Sequence, residues 1–209
     1  MPLYKTIELD ANTVIRIWKI DEDLAWLSRG IQLTPHCQLR MDGMKSEIHQ
    51  RGFMSVRQLL AIEGYEDRDL YYDELGKPHL TDKKHISITH SYNFSAIITS
   101  FDEVGIDIEK QRPKIVRIAH KFTTPEDYVD IQDPQLMMRK LTMVWGAKES
   151  LYKSFARPGL SFRQHIDVGD FEVEELKTTA MVEFEEKSAS YDVWFNEFEG
   201  FTCAYAKIQ

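Results

Sequence analysis

The sequence has little of what marks a disulfide-stabilised, membrane-spanning or nucleic-acid-binding protein. Its two cysteines, Cys37 and Cys203, are too few for a disulfide framework or a four-cysteine metal site. Its longest apolar stretch, Phe94–Phe101, is far shorter than the ~20 residues of a membrane-spanning helix. The first five residues lack the apolar core of a secretory signal. The 34 acidic residues outnumber the 26 basic ones, giving a net charge of −8, whereas nucleic-acid binding requires a basic surface. We therefore expect a soluble, cytoplasmic globular protein that binds neither nucleic acid nor membranes.

Several common catalytic motifs are also absent. The chain has no G-x-x-x-x-G-K-[ST], no G-x-G-x-x-G after a strand, no H-E-x-x-H and no G-x-S-x-G. P-loop phosphoryl transfer, zinc proteolysis and serine hydrolysis therefore lack their signatures. In a chain of this net charge, an anionic ligand has to be held by a local group of lysine and arginine side chains.

The hydrophobic pattern predicts two successive groups of helices and strands. Alternation and β-branched residues predict the strands, whereas apolar residues at helical spacing predict the helices. Proline behind a capping residue marks the start of the last two helices, at Pro125 and Pro134. This order indicates two similar α+β halves that meet near residue 100. The predicted strands are 13–20, 85–89, 94–101, 104–109, 166–173, 180–185, 191–195 and 201–207, and the predicted helices are 22–29, 44–62, 114–121, 125–131 and 135–155.

Asp107 and Glu109 form the sharpest local signal. In a strand, residues two apart point to the same face, so both carboxylates emerge together while Ile106 and Ile108 enter the core. Two adjacent negative charges raise each other's pKa unless a cation compensates them, and Mg²⁺ commonly takes one or two carboxylates. An edge strand with a solvated acidic face would show the same pattern.

Glu149 and Lys153 lie four residues apart in a predicted helix, with Trp145 one turn before them. The three side chains therefore share one ridge of the helix. An ordinary exposed Glu–Lys pair has the same spacing, although the tryptophan indicates that this ridge faces protein.

Other candidates for anion binding are scattered through the first half of the chain. His90 ends an apolar strand, and Lys77 lies in a Gly-Lys-Pro turn. Arg51 and Arg57 lie about two turns apart on the predicted 44–62 helix. Taken singly, each is as consistent with a structural or solvated side chain as with a ligand contact.

Taken together and in order, these segments resemble the 4′-phosphopantetheinyl transferases of the larger, surfactin-synthetase-activating type. The pairing of Gly-Ile-Asp-Ile-Glu with Trp-x-x-Lys-Glu-Ser-x-x-Lys, some forty residues later, is the most specific element. The segments that carry the resemblance are Gly76–Pro78, Ile86–Ser91, Val104–Lys110 and Trp145–Lys153.

The resemblance implies an α+β monomer with two pseudo-symmetric halves, each an antiparallel sheet packed on helices, and an active site in the cleft between them. Residues 1–102 would contribute coenzyme A contacts, and residues 103–209 would carry the metal and catalytic residues. The family transfers the 4′-phosphopantetheine arm of coenzyme A to a serine of an apo acyl or peptidyl carrier protein and releases adenosine 3′,5′-bisphosphate.

The same resemblance assigns roles to individual residues. Asp107, Glu109 and Glu149 would hold Mg²⁺ or Mn²⁺, since oxygen ligands suit both ions. Glu149 would act as general base or as metal ligand only, and Lys153 would neutralise phosphate charge. The predicted coenzyme A contacts are Arg51, Arg57, Lys77, Thr89, His90, Lys148 and Lys153, with His90 near the 3′-phosphate.

The chain departs from the family pattern at a few positions. Thr89 replaces the usual serine and keeps the hydroxyl, whereas Gly52 stands where an acidic residue is expected. Arg40 and Lys45 are candidate contacts from the less similar first fifty residues. The acidic position after Pro125 falls on Glu126 or Asp127, for which a helix-capping role competes with a catalytic one.

Two other functions use the same residues. A metal-dependent phosphohydrolase of coenzyme A or nucleotides would use the carboxylates with water as nucleophile. A non-catalytic module would bind coenzyme A or carrier proteins without turnover.

Overall fold

A computed structural model describes residues 3–209 of the chain, apart from the side chain of Asp127. The chain divides into two compact units, the first ending at Asp102 and the second running from Glu103 to Gln209. Each unit contains one antiparallel sheet and its own helices. The predicted α+β fold with two antiparallel sheets packed on helices is therefore confirmed. Within residues 3–209, no helix has the length and apolar character needed to cross a membrane.

The first unit contains a six-stranded sheet with the strand order β1-β2-β6-β5-β4-β3. All its neighbouring strands are antiparallel. A single 3₁₀ turn, Asp67–Asp69, precedes β3. The elements are β1 (Leu3–Asp10), β2 (Thr13–Lys19), α1 (Leu24–Leu27), α2 (Pro35–Asp42), α3 (Glu47–Ile62), β3 (Leu70–Tyr72), β4 (Pro78–Leu80), β5 (His85–Ser91) and β6 (Phe94–Ser100).

Helix α3 packs on this sheet through its apolar face. Val56, Leu59 and Leu60 are buried there, as the helical spacing predicts. Small side chains allow a close approach to β6, where the hydroxyl groups of Ser55 and Ser95 are 2.8 Å apart. The buried polar groups therefore satisfy each other where helix and strand meet.

The second unit contains a five-stranded sheet with the strand order β7-β11-β10-β9-β8. Short 3₁₀ turns lie at Ala119–Lys121, Pro125–Asp127 and Val173–Glu175. The elements are β7 (Val104–Lys110), α4 (Lys114–Ile118), α5 (Pro134–Phe155), β8 (Ile166–Val168), β9 (Lys177–Phe184), β10 (Lys187–Phe198) and β11 (Phe201–Ile208).

Helix α5 is the main helix of the second unit, and local chemistry sets both its ends. The side chain of Asp133 accepts a hydrogen bond from the backbone N–H of Gln135, and Pro134 occupies the first turn. The helix ends at Ala156, which has a left-handed backbone with φ 51°. Its buried face, which includes Met143, Ala147 and Leu151, belongs to the core formed with the sheet.

Several elements differ from the predicted ones, and the largest differences are the following. Strand β1 was not predicted, because its charged sequence and largely exposed side chains hide the strand pattern. Helix α2 was not predicted either, although Thr34 caps it and Pro35 begins it. The predicted helix over 125–131 is wrong, since only Pro125–Asp127 forms a 3₁₀ turn. A segment of seven residues gains few hydrogen bonds for the cost of nucleating an α-helix, so it forms only a short turn.

Candidate active site

The candidate site depends on a close contact between helix α5 and strand β7. Gly105 lies directly against the carbonyl group of Ser150, so that a Cβ atom at residue 105 would overlap that oxygen. The hydroxyl group of Ser150 lies 2.8 Å from the carbonyl oxygen of Gly146 and 2.9 Å from that of Ala204 in β11. Because these residues are small, the helix backbone reaches the sheet and brings residues 149 and 153 close to β7.

Four of the predicted site residues meet at this contact. Asp107 is buried on β7, and Glu109 follows it on the same side of the strand. The ammonium group of Lys153 donates to Oδ1 of Asp107 at 2.7 Å and to the carbonyl oxygen of Ile106 at 2.9 Å. Glu149 lies one turn before Lys153 and interacts electrostatically with both strand carboxylates. We call Asp107, Glu109 and Glu149 the acidic cluster.

Burial and mutual repulsion perturb the carboxyl groups of the acidic cluster. Burial, followed by the negative charge of Asp107, raises the pKa of Glu149 to about 7. The same two causes raise the pKa of Glu109, while a hydrogen bond from Trp145 and the charges of Arg112 and Lys153 oppose the rise. The cluster therefore carries negative charge that one ammonium group compensates only in part.

The donor set of the acidic cluster suits a hard divalent cation. Carboxylate oxygens are the ligands that Mg²⁺ and Mn²⁺ prefer, and a dication would relieve the repulsion that raises the pKa of Glu149. In the described part of the chain, no three His, Cys, Asp or Glu side chains are already grouped as a metal site. Lys153 is the cation that contacts Asp107 instead.

Trp145 links the acidic cluster to an aromatic group in the second unit. Its indole hydrogen-bonds to Glu109, and its ring packs against Phe122 and Phe162 with centroid distances of 5.1 and 5.3 Å. This ridge of α5 therefore faces protein, as the tryptophan indicated in the sequence. The hydrogen bond from the indole of Trp145 therefore helps to fix the orientation of the Glu109 carboxylate.

Lys148 is next to Glu149 in sequence, and its ammonium group donates to backbone carbonyl groups. Its side chain is buried, and its ammonium group donates to the carbonyl oxygens of Phe162 at 2.8 Å and Ile166 at 2.7 Å. These bonds attach α5 to the first residue of β8 and to the chain segment before it. The geometry favours a structural role, and the coenzyme A contact stays a prediction.

In the first unit, His90 and Arg51 lie near the start of α3. His90 is exposed at the end of β5, and its ring stacks on His49 with a centroid distance of 6.3 Å and an interplanar angle of 11°. Arg51 donates from Nη2 to the carbonyl oxygen of Ile20 at 2.9 Å. A Cβ atom on Gly52 would lie 3.2 Å from the His90 ring, so glycine leaves the room that this histidine uses.

Arg57 is buried within the first unit. Its Nε donates to Oδ1 of Asp67 at 3.0 Å, and its guanidinium lies 3.5 Å above the centre of the Phe53 ring. Thr34 donates to the other carboxylate oxygen of Asp67 from both its backbone and its hydroxyl group. The interaction therefore ties α2 to α3. It favours a structural role for Arg57 over the predicted contact with coenzyme A.

The remaining predicted contacts lie on or beside the sheet of the first unit. Lys77 is half-buried in the turn before β4, where its backbone N–H donates to Asp73 at 2.8 Å. Thr89 is buried on β5 next to His90. In the second unit, Glu126 is exposed in a 3₁₀ turn, and the side chain of Asp127 is outside the described part of the structure.

Sequence reasoning overlooked the residues that position the site rather than contact a ligand. Gly105 and Ser150 were part of the quoted motifs, but only the packing of α5 on β7 reveals their purpose. Asp67 was not singled out, because an aspartate in a polar loop gives no sign of a buried arginine partner. The sequence did contain one indication of this ion pair. Arg57 lies within an apolar helix face, and a buried charge there requires an acidic partner.

Comparisons with known proteins agree with the geometry of the second unit. Residues 103–206 match the family model of the 4′-phosphopantetheinyl transferase superfamily. Through this segment the chain belongs to that superfamily, and the resemblance predicted from the sequence is confirmed. The match contains β7 and α5, and therefore the whole acidic cluster and Lys153.

Individual relatives carry the same family name. The chain is 35% identical to the 4′-phosphopantetheinyl transferase Sfp of Bacillus subtilis (strain 168) over 128 residues, which cover 56% of each chain. It is 35% identical to another 4′-phosphopantetheinyl transferase of Bacillus subtilis over 92 residues, covering 42% of this chain and 41% of the relative. It is 25% identical to the 4′-phosphopantetheinyl transferase gsp of Aneurinibacillus migulanus over 139 residues, covering 65% and 56%. The matches thus span about half the length of these relatives.

Proposed function

We propose that this chain transfers the 4′-phosphopantetheine arm of coenzyme A to a serine of an apo acyl or peptidyl carrier protein. The reaction releases adenosine 3′,5′-bisphosphate and depends on Mg²⁺, with Mn²⁺ as a possible substitute. The chain acts as a cytoplasmic monomer. The observation that carries this proposal is the meeting of Asp107, Glu109, Glu149 and Lys153 inside the segment that matches the family.

The chemistry required is attack of a serine hydroxyl on the pyrophosphate of coenzyme A. A bound divalent ion supplies charge neutralisation at the phosphoryl oxygens, which is the main contribution in phosphoryl transfer. Asp107, Glu109 and Glu149 would hold that ion. Lys153, already directed at the acidic cluster, would neutralise charge on the phosphate under attack or on the leaving group.

Glu149 has the properties of a general base for the serine hydroxyl. An ordinary glutamate is too weak a base for an alcohol, and a base poised near the working pH is more effective. With no cation bound, burial and the charge of Asp107 raise the pKa of Glu149 to about 7; a bound dication would offset the charge of Asp107 but not the burial, which is the larger cause. Glu149 would accept the serine proton as the oxygen bonds to phosphorus.

Coenzyme A contacts are proposed for residues of both units. In residues 1–102, His90 and Arg51 have the best geometry, since both lie beside the start of α3. Lys77 and Thr89 complete this group. In residues 103–209, Lys153 is the cation beside the acidic cluster.

Intact-protein mass spectrometry of an apo carrier protein tests the proposal. Incubation with this chain, coenzyme A and Mg²⁺ should add one phosphopantetheine arm, and EDTA should prevent the addition. Asp107→Ala should abolish transfer while the chain stays folded, whereas the control Asp170→Ala, at a side chain that is 97% exposed, should not. Retained activity in a folded Asp107→Ala chain would overturn the metal assignment.

Omitting the carrier protein separates the alternative functions. A phosphohydrolase would release adenosine 3′,5′-bisphosphate from coenzyme A without any carrier. A binding module would form a complex without turnover and would be indifferent to Glu149→Gln. The proposed transferase instead needs the carrier for product release and loses activity in that variant.

A further inference from the structure

Lys148 carries a buried ammonium group on helix α5. The residue is only 5% exposed, so its charge has to be satisfied within the protein. It donates to two backbone carbonyl oxygens, those of Phe162 at 2.8 Å and Ile166 at 2.7 Å. Both acceptors belong to the stretch of chain that leads from the end of α5 into β8. Because a hydrogen bond from a charged donor is stronger than one between neutral groups, Lys148 holds this stretch against the helix.

Phe162 is held on α5 by its ring as well as by its carbonyl group. The centroid of its ring lies 5.3 Å from that of Trp145 and 5.5 Å from that of Tyr152. Residues 145, 148 and 152 are three and four positions apart, so they share one face of the helix. The ammonium group of Lys148 therefore fixes the backbone of a residue whose ring packs on the aromatic side chains before and after it on that face.

Trp145 connects this packing to the acidic cluster. Its indole donates a hydrogen bond to the carboxylate of Glu109. Phe162 and Phe122 pack against the Trp145 ring and restrict its rotamer. A displaced Phe162 would leave space beside the indole and allow its N–H to turn away from Glu109. Hydrogen-bond partners of this kind orient the carboxylates that bind metal ions in proteins.

We propose that Lys148 is a positioning residue for Glu109, acting through Phe162 and Trp145. The inference rests on the proposed function, which makes Glu109 a ligand of the divalent cation. It gives Lys148 a role that differs from the predicted contact with coenzyme A. In such a contact, a phosphate would compete with two buried carbonyl oxygens for the same ammonium group.

Binding of Mn²⁺ to the full chain, followed by the electron paramagnetic resonance signal of the free ion, tests the inference. Lys148→Met keeps the aliphatic stem and removes the ammonium group. It should weaken Mn²⁺ binding at least about threefold, which is less than the ~10–100-fold loss typical for a group that hydrogen-bonds a metal ligand directly. Trp145→Phe removes that direct partner, the indole N–H, and should weaken binding about tenfold or more.

Lys140→Met is the matched control for Lys148→Met. Lys140 lies on the same helix, and its ammonium group also donates to a backbone carbonyl oxygen, that of Phe171. This bond holds a different part of the chain, with no printed contact to Trp145 needed for it. Lys140→Met should therefore bind Mn²⁺ like wild type. An equal loss of affinity in Lys140→Met and Lys148→Met would reveal a general loosening of α5 and overturn the inference.

Phe162→Leu tests the same route with the ammonium group of Lys148 in place, and it decides the question if Lys148→Met does not fold. It should weaken Mn²⁺ binding at least about threefold. The double variant should lose less affinity than the product of the two single effects, because both substitutions act on Trp145. If either single variant is folded and binds Mn²⁺ like wild type, the inference is overturned.

Steady-state kinetics separates positioning from a direct contact with coenzyme A. At saturating Mg²⁺, Lys148→Met should keep the KM for coenzyme A within about twofold of wild type. Loss of a charge-assisted hydrogen bond to a phosphate would instead raise that KM at least about tenfold and overturn the inference. If the variants bind Mn²⁺ as expected but wild type modifies no carrier protein, the proposed transfer fails and the positioning of Glu109 stands. If wild type binds no Mn²⁺, the metal assignment and the inference fail together.

Discussion

Gly105 lies so close to the carbonyl group of Ser150 that no side chain fits between strand β7 and helix α5 at this point. The contact sets the distance between the strand that carries Asp107 and the helix that carries Glu149. The geometry of the acidic cluster therefore depends on Gly105, which has no side chain to take part in binding or catalysis.

Gly105→Ala should destabilise the chain and disturb the site. An added methyl group would push α5 from the sheet, and we expect the free energy of unfolding to fall by at least about 2 kcal/mol. Urea denaturation measures this loss. Gly43→Ala is the matched control, because its Cβ would make only ordinary contacts of 3.5 Å or more, and it should change stability by about 0.5 kcal/mol at most. Equal stability of the two variants would contradict the packing argument.

Glu149→Gln should change how stability depends on pH in the absence of metal. The pKa of Glu149 is raised from 4.5 to about 7, so wild type loses stability as the pH rises between these values. The glutamine variant lacks this loss and should be more stable than wild type at pH values above about 7 in EDTA, with a smaller difference near pH 4.5. Thermal unfolding across this range measures both curves. Parallel curves would show that Glu149 has an ordinary pKa.

Lys153→Met should separate ion binding from catalysis. Lys153 donates to Asp107, so it competes with a divalent cation for that carboxylate. Removing the ammonium group should therefore tighten Mg²⁺ binding, measured by calorimetry, while phosphopantetheine transfer falls at least about tenfold because the transition-state charge loses a partner. A variant with weaker Mg²⁺ binding would contradict the competition, and one with full activity would contradict the catalytic role.

Arg57→Met should destabilise the first unit by about 3 kcal/mol or more, because it leaves Asp67 buried without its ion-pair partner. Burial alone would raise the pKa of Asp67. Hydrogen bonds from Thr34 and Arg57 nevertheless hold that pKa below its usual value. Arg68→Met is the control, since Arg68 and Glu66 form an exposed pair, and its effect should stay below about 1 kcal/mol. If Arg57→Met keeps full stability and loses only coenzyme A affinity, the structural role is wrong.

The central elements of both units could be predicted because their apolar residues recur at regular spacing and because capping or turn residues mark their ends. Helix α5 has an aspartate cap, a proline in its first turn and an apolar face, and its predicted start and end differ from the structure by one residue or none. The three consecutive strands β5, β6 and β7 were predicted from dense β-branched residues. Strand β1 was not predicted, because an exposed, charged edge strand lacks the alternation of apolar and polar residues that burial imposes.

The candidate site could be predicted as a set of residues but not as a geometry. The two-residue spacing of Asp107 and Glu109 and the four-residue spacing of Glu149 and Lys153 each define one face of one element. That the two faces meet depends on Gly105 and Ser150, whose packing partners are distant in sequence. Burial of Arg57 and Lys148 likewise depends on tertiary neighbours, so their spacing alone suggested ligand contacts instead.

The contact of α5 with β7 also makes the site a reporter of folding. Asp107 and Glu149 are about forty residues apart, and they come together only once the helix has docked on the strand. An unfolded or partly folded chain therefore lacks the assembled ligand set, so an ion that needs all three carboxylates would bind the docked state and stabilise it. Such an ion would hold α5 against β7. Its removal would destabilise the second unit first at the contact between these two elements.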